Sequence, residues 1–173
     1  MNTRIMVILS LFVGIGAVLH AVVPPILFGV KPDMLLSMMF LGIILFPKPK
    51  YVALLAIVTG VISALTTSAP GGQIANLIDK PITAFVFLTL FLLVRNKVNV
   101  NFSAPVLTAI GTMVSGAVFL SVALFIVNLM DGGFMALFIT VVLPAAALNT
   151  IIMLVVHPIV QSIMKRSQPI TVT

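Results

Sequence analysis

Apolar residues run along this chain in six stretches, 5–23, 34–46, 51–67, 81–94, 102–129 and 134–164, separated by short polar segments. None shows the strict apolar/polar alternation of a membrane β-barrel strand. Helices must carry them, because a backbone in an apolar medium has to satisfy its own hydrogen bonds. At about 1.5 Å per residue a helix needs roughly 20 residues to cross ~30 Å of hydrocarbon. The stretches 34–46 and 81–94 hold 13 and 14 residues and are too short alone. Either they are re-entrant, or polar residues at one end extend them into the protein interior. The second option keeps the loops alternating between two sides and is preferred. The pattern therefore predicts a single all-α domain of six transmembrane helices, at about 5–23, 33–47, 51–67, 74–95, 102–129 and 134–164, with 167–173 as a frayed tail.

Composition removes the soluble alternatives. The 173 residues are 61% apolar and 7% charged, where a soluble domain is roughly half apolar and about a quarter charged. The solvent for this much Leu, Ile, Val and Phe must be lipid. A cleaved secretory leader is not expected. The first run exceeds a usual signal core, Leu19 and Ala21 make no small-x-small site, and five more runs follow. Cysteine is absent, which excludes disulfides, thiol catalysis and thiolate metal sites.

Charge sets the expected orientation. With six spans, Arg4, Lys48, Lys50, Arg95, Lys97, Lys165 and Arg166 fall on one side and no acid joins them, whereas Lys31 and Lys80 share the other side with Asp33, Asp79 and Asp131. The positive-inside rule makes the first side, and both termini, cytoplasmic. The net charge of +6 is then a matter of topology, and no nucleic-acid partner is implied.

Candidate chemistry gathers on the outer side. The two short spans have similar approaches, Lys31-Pro32-Asp33 and Asp79-Lys80-Pro81, each with a proline suited to a first helical turn and opposite charges beside a positive helix end. Paired short spans point to a transporter's binding site. Taken singly, each is also a plain interfacial ion pair. Residues 69–80 mix turn formers, amides and charges with apolar residues, as in a loop that dips into protein or one that closes a solvated hairpin. Buried, it would offer Gln73, Asn76, Asp79 and Lys80 to a ligand. In the last span Pro144 frees the Thr140 carbonyl and predicts a kink. Asn149 should point into the bundle, as helix glue or ligand contact. His20 and His157 lack a carboxylate at helical spacing, and packing or interfacial hydrogen bonding is expected of both. Small residues at Ser10, Gly14, Ala17 and Ala21 form one stripe down the first helix, a docking face for another helix of the bundle or of another protein. Similar stripes occupy 53–67 and 104–115.

Enzyme machinery is missing. There is no HExxH, GxSxG or phosphate-cradling GxxxxGK[ST], and the three acids are dispersed. ATP is not the chain's direct fuel. The predicted spans hold almost no ionisable group for ion coupling, so energy comes from a partner or transport is passive.

Several segments resemble a known family. These are Gly14-Ile15-Gly16-Ala17-Val18-Leu19-His20, Lys31-Pro32-Asp33-Met34-Leu35, 59–67, Gly72-Gln73-Ile74-Ala75-Asn76, Asp79-Lys80-Pro81, Leu143-Pro144-Ala145-Ala146 and Leu148-Asn149-Thr150. Across nearly its whole length the chain resembles the S components, the substrate-capturing membrane subunits, of energy-coupling-factor transporters, and among them the bacterial tryptophan-specific members. The resemblance implies six helices in a bacterial cell membrane and a substrate site formed by the loop after helix one, the loop before helix four, and helix six. It implies substrate-binding roles for Lys31, Asp33, Gln73, Asn76, Asp79, Lys80 and Asn149. It further implies that Gly14, Ala17 and Ala21 dock onto a membrane-embedded coupling subunit driven by two ATP-binding-cassette ATPases, and that the chain itself needs no cofactor.

The residues permit that substrate. A zwitterionic amino acid requires both signs of charge, which Asp33, Asp79, Lys31 and Lys80 supply, and an indole requires apolar walls, for which Phe28, Met34, Phe85 and Phe134 are the candidates. Two other readings stay open: an S component for a vitamin or another amino acid, and a small channel or structural membrane subunit without a captured ligand.

Overall fold

The computed structural model describes residues 2–26, 29–128 and 131–166, and these form six helices and no sheet. They are α1 (Thr3–Val22), α2 (Met34–Leu45), α3 (Pro49–Thr66), α4 (Gly72–Val94), α5 (Val100–Val127) and α6 (Phe134–Arg166). All but α2 are long and apolar enough to cross a membrane. The tail at 167–173 and Phe28 lie outside the described residues.

Helix starts follow local chemistry. Asn2, Asp33 and Asn99 accept hydrogen bonds from the backbone N–H groups of Arg4, Leu36 and Asn101, satisfying donors that an N-terminus leaves orphaned. Pro49 opens α3, where its missing N–H costs nothing. Gly71, at φ 70°, makes the left-handed turn into α4.

The short helix α2 is the centre of the bundle. Every residue from Met34 to Ile44 is buried, packed by α1, α3, α4, α5 and α6. At twelve residues it rises about 18 Å, well short of the ~30 Å of a bilayer core. Neighbours taller than α2 therefore enclose space beyond its N-terminus. Deeper in, Phe40 of α2 stacks on Phe87 of α4 with centroids 4.0 Å apart and planes 6° from parallel. Gly111 of α5 closes on this stack; a Cβ there would lie 2.7 Å from Phe40 and 2.8 Å from Phe87.

Helix α4 runs Gly72–Val94 against the expected 74–95, so only the reading of 69–80 as a dipping or solvated loop is corrected. Gly72 to Lys80 are its first turns rather than an irregular loop, and Pro81 sits inside the 23-residue helix instead of opening it. The physical reason is the surroundings. Buried among other helices, the segment satisfies its backbone internally, and one missing donor at Pro81, which leaves the Leu77 carbonyl unpaired within the helix, costs less than an unwound turn. The same extension overturns the expectation that the spans are almost free of ionisable groups, since Asp79 and Lys80 now lie within one.

The outer turns of α5 and α6 depart from α geometry. Val122–Val127 and Phe138–Val142 are π-helical, and the second run lies just ahead of Pro144, where a kink is predicted. The wider turn absorbs the lost i→i−4 bonding. Elsewhere the outside of the bundle is apolar: Val7, Leu11, Val18, Phe102, Phe125 and Leu154 are all more than half exposed, as suits lipid rather than water.

Candidate functional site

The space beyond α2 is a cavity of about 320 Å³, within the range of small-molecule sites. His20, Lys31 and Asp33 line it from the α1–α2 side, Ser63, Thr67 and Ala69 from α3 and the following turn, and Asn76, Asp79 and Lys80 from the first turns of α4. The remaining wall is α5 and α6, with Thr112, Ser115, Gly116, Phe119 and Leu120 facing Leu137, Val141, Val142 and Ala145. Charge is concentrated on one side of this cavity and apolar surface on the other.

The charged side is a connected network. Lys80, 2% exposed, donates from Nζ to Oδ2 of Asp33 and to Oδ2 of Asp79, both at 2.9 Å. Asp79 is fully buried and also accepts from Ser115 Oγ at 2.7 Å and Thr83 Oγ1 at 2.6 Å. Asp33 is only partly buried. Its Oδ1 accepts the Leu36 N–H at 2.9 Å, which makes it the N-cap of α2 and puts its charge at a positive helix end. Burial pushes the Asp33 carboxyl up, but the Lys80 ammonium, then His20 and the Leu36 N–H, outweigh that and hold it below the usual carboxylate range. Asn149 locks the same corner from behind. It is fully buried, accepts the Asp33 backbone N–H at 3.0 Å, and donates to Thr112 Oγ1 at 3.2 Å.

Five of the seven sequence-predicted binding residues thus line one cavity: Lys31, Asp33, Asn76, Asp79 and Lys80. Asn149 supports it through hydrogen bonds, and Gln73 is exposed and does not line it. Asn76 spends its amide N–H on the Gly72 and Ser63 carbonyls, at 2.9 and 3.4 Å. The expected aromatic wall is replaced. Phe85 is 43% exposed, because six residues beyond Asp79 a helix has turned ~240°. Met34 is buried in the core, and Phe134 stacks with Phe125 and Phe138. Phe119 lines the cavity instead. Sequence reasoning also passed over His20, whose Nδ1 lies 3.9 Å from Asp33 Oδ1. The relevant carboxylate comes from the next helix, so helical spacing along α1 held no signal. Thr112 and Ser115 were visible as part of a small-residue stripe, and their polarity on a membrane helix was the available clue.

On α1, Gly14 and Ala21 are exposed and Ala17 is half-buried, with nothing within 4 Å of a Cβ built on Gly14. Gly16, on another face, packs against Leu35 and Met38 of α2. The stripe therefore faces out of the bundle.

A bundle of apolar helices around a cavity that is charged on one side and apolar on the other defines a multi-pass membrane protein of the transporter class. The family model described as "Tryptophan transporter TrpP" matches residues 2–165, and the chain belongs to that family. It is 59% identical to a "Probable tryptophan transport protein" of Bacillus subtilis (strain 168) over 167 residues, 96% of each chain. Proteins of the same description from Clostridium acetobutylicum and Clostridium perfringens are 40% and 36% identical, over 95% and 96% of this chain and 96% of each relative. No solved structure matches the chain.

Proposed function

We propose that this protein is the substrate-capturing membrane subunit for uptake of L-tryptophan, with both termini in the cytoplasm and the cavity opening outward. Its energy comes from a coupling membrane subunit and two ATP-binding-cassette ATPases. The observation that carries the reading is the cavity: a zwitterion's two charges meet Asp33 and Lys31, and an aromatic side chain meets Phe119, Leu120, Leu137 and Val142. Support for the substrate comes from the relatives, whose names specify tryptophan. Support for the orientation comes from Arg4, Lys48, Lys50, Arg95, Lys97, Lys165 and Arg166, at the helix ends away from the cavity, against Lys31 and Lys80 beside it. The outward-facing stripe on α1 supports the coupling subunit, and the absence of a phosphate-binding loop supports ATPases on other chains.

The chain contains no Trp, so bound tryptophan can be followed by its own fluorescence in purified, detergent-solubilised protein. Saturable binding, with uptake into proteoliposomes only when the coupling module and ATP are present, is the expected result. Binding of other amino acids or vitamins in preference to tryptophan would replace the substrate. Uptake driven by an ion gradient without any ATPase would replace the energy source, and the Asp33, Lys80 and Asp79 network would then be the group to examine.

A further inference from the structure

The charged groups of the cavity are not equally occupied. Asp33, Lys80 and Asp79, bonded to one another, carry a net negative charge that only Lys31, outside that network, balances in the cavity. Lys80 is bonded to both carboxylates, and Asp79 is enclosed by Lys80, Ser115 and Thr83. Lys80 keeps one N–H but has no acceptor for a ligand's ammonium, and Asp79 is fully buried behind it, so neither offers an open acceptor. Asp33 does, because Oδ1 takes a single hydrogen bond, from the Leu36 N–H, and a carboxylate oxygen has two lone pairs. Facing that oxygen is Nδ1 of His20, buried and without a hydrogen-bond partner. The two atoms are 3.9 Å apart, too far to bond each other, yet close enough for one donor with several hydrogens to bridge both. A buried polar atom left unpaired is destabilising, and a ligand that satisfies it gains by doing so.

We infer that Asp33 Oδ1 and His20 Nδ1 together form a subsite for a primary ammonium, so that this cavity selects its ligand by the amine end. The inference deepens the proposed function and rests on it for the cavity being a substrate site. The imidazole, with its proton on Nε2, presents a lone pair at Nδ1, and the carboxylate supplies the charge. An ammonium there neutralises the residual charge and satisfies the orphaned nitrogen in one step. Lys31, at the same end of the cavity, is left for the carboxylate end, a weaker determinant because a flexible, partly exposed lysine holds its partner less tightly. Lys80 and Asp79 are positioning residues for the ammonium end, since they hold Asp33 in place without bonding the ammonium.

The test is thermal stabilisation and competition binding of the full chain in detergent, with matched ligands: L-tryptophan, tryptamine and phenethylamine as amines, and indole-3-propionate and 3-phenylpropionate as their carboxylate-only counterparts. The amines should stabilise the protein, and each carboxylate should bind at least tenfold more weakly than the amine of the same ring. His20→Ala and Asp33→Asn, the latter retaining a competent helix cap, should each weaken amine binding tenfold or more and leave carboxylate binding unchanged. His20→Gln, which offers an amide oxygen, should recover part of the loss. If amines stabilise the protein but tryptophan does not, the subsite stands and the tryptophan reading fails. Equal binding of amines and carboxylates, no stabilisation by any amine, or full amine affinity in His20→Ala overturns the subsite.

Discussion

Lys80 illustrates how a charge can be kept in a membrane protein: it is held between two carboxylates. Removing one partner of such a buried arrangement leaves charge that nothing neutralises, at ~3–5 kcal/mol, whereas the intact arrangement adds little over well-packed apolar groups. The two obvious substitutions should then differ. Lys80→Ala leaves Asp33 and Asp79 facing each other and should lower the midpoint of thermal unfolding in detergent steeply. Asp79→Asn keeps the shape and still accepts from Lys80, which retains Asp33, and should lower it much less. Equal losses would mean that Lys80 is not shared between the two acids. Asn149 has a comparable but smaller role. Asn149→Ala deprives the buried Asp33 N–H of its acceptor and should cost about 1–3 kcal/mol, with substrate affinity falling in parallel because Asp33 is the residue displaced.

Among the elements, the contacts of α2 fix the depth of the cavity. Its neighbours approach closely only because small residues stand where they cross. Gly111 faces the Phe40–Phe87 stack with no space for a methyl group. Gly111→Ala should push the rings apart and destabilise by about 1–3 kcal/mol, as overpacking does, although alanine is the better helix former. Gly14→Ala, with open space beside it, should leave the melting temperature of the isolated protein unchanged or raised by the better helix propensity of alanine, and the pair of substitutions separates packing from propensity. The elements were legible in the sequence where the signal was a long apolar run, as for α1, α3, α5 and α6. They were legible only in part where composition and surroundings disagreed, as before Pro81, where the expected span of 74–95 stood beside a loop reading of 69–80. Residues 72–80 carry the turn formers and charges of a loop, yet are helical because their polar side chains find partners inside the bundle, information that resides in α2, α3 and α5. Pro81 reads as a helix start for the same reason. The charged half of the site was visible through its Lys-Pro-Asp and Asp-Lys-Pro signatures. The apolar half was not, since twelve Phe residues offer no local mark of which one faces inward. Nor was His20, whose partner is on another helix.

For the whole molecule, the proposed reading puts binding and energy supply on different surfaces, which makes them separable by experiment. The cavity lies among the helices of the bundle beyond the N-terminus of α2, whereas Gly14 and Ala21 look outward along α1, with Ala17 at the inner edge of that face against the core. An exposed small-residue face does nothing for the stability of an isolated bundle in lipid, where apolar side chains of any size are equally well solvated, and matters only when a second backbone must come close. Enlarging it should therefore be silent in the protein alone and damaging in a complex. Ala17→Leu and Ala21→Leu, singly and together, are expected to leave tryptophan affinity and the unfolding midpoint of the purified chain within error of the original. The double substitution should abolish both co-purification with the coupling subunit and ATP-dependent uptake in proteoliposomes. Leu11→Ala, which makes the same helix smaller instead of larger at an exposed position, is the control and should retain uptake. If the Ala17→Leu/Ala21→Leu protein still takes up tryptophan at the original rate, α1 is not the docking surface, and the coupling partner must meet another face of the bundle. If it loses substrate binding instead, the stripe contributes to the fold around His20 on the same helix, and the separation of the two surfaces fails.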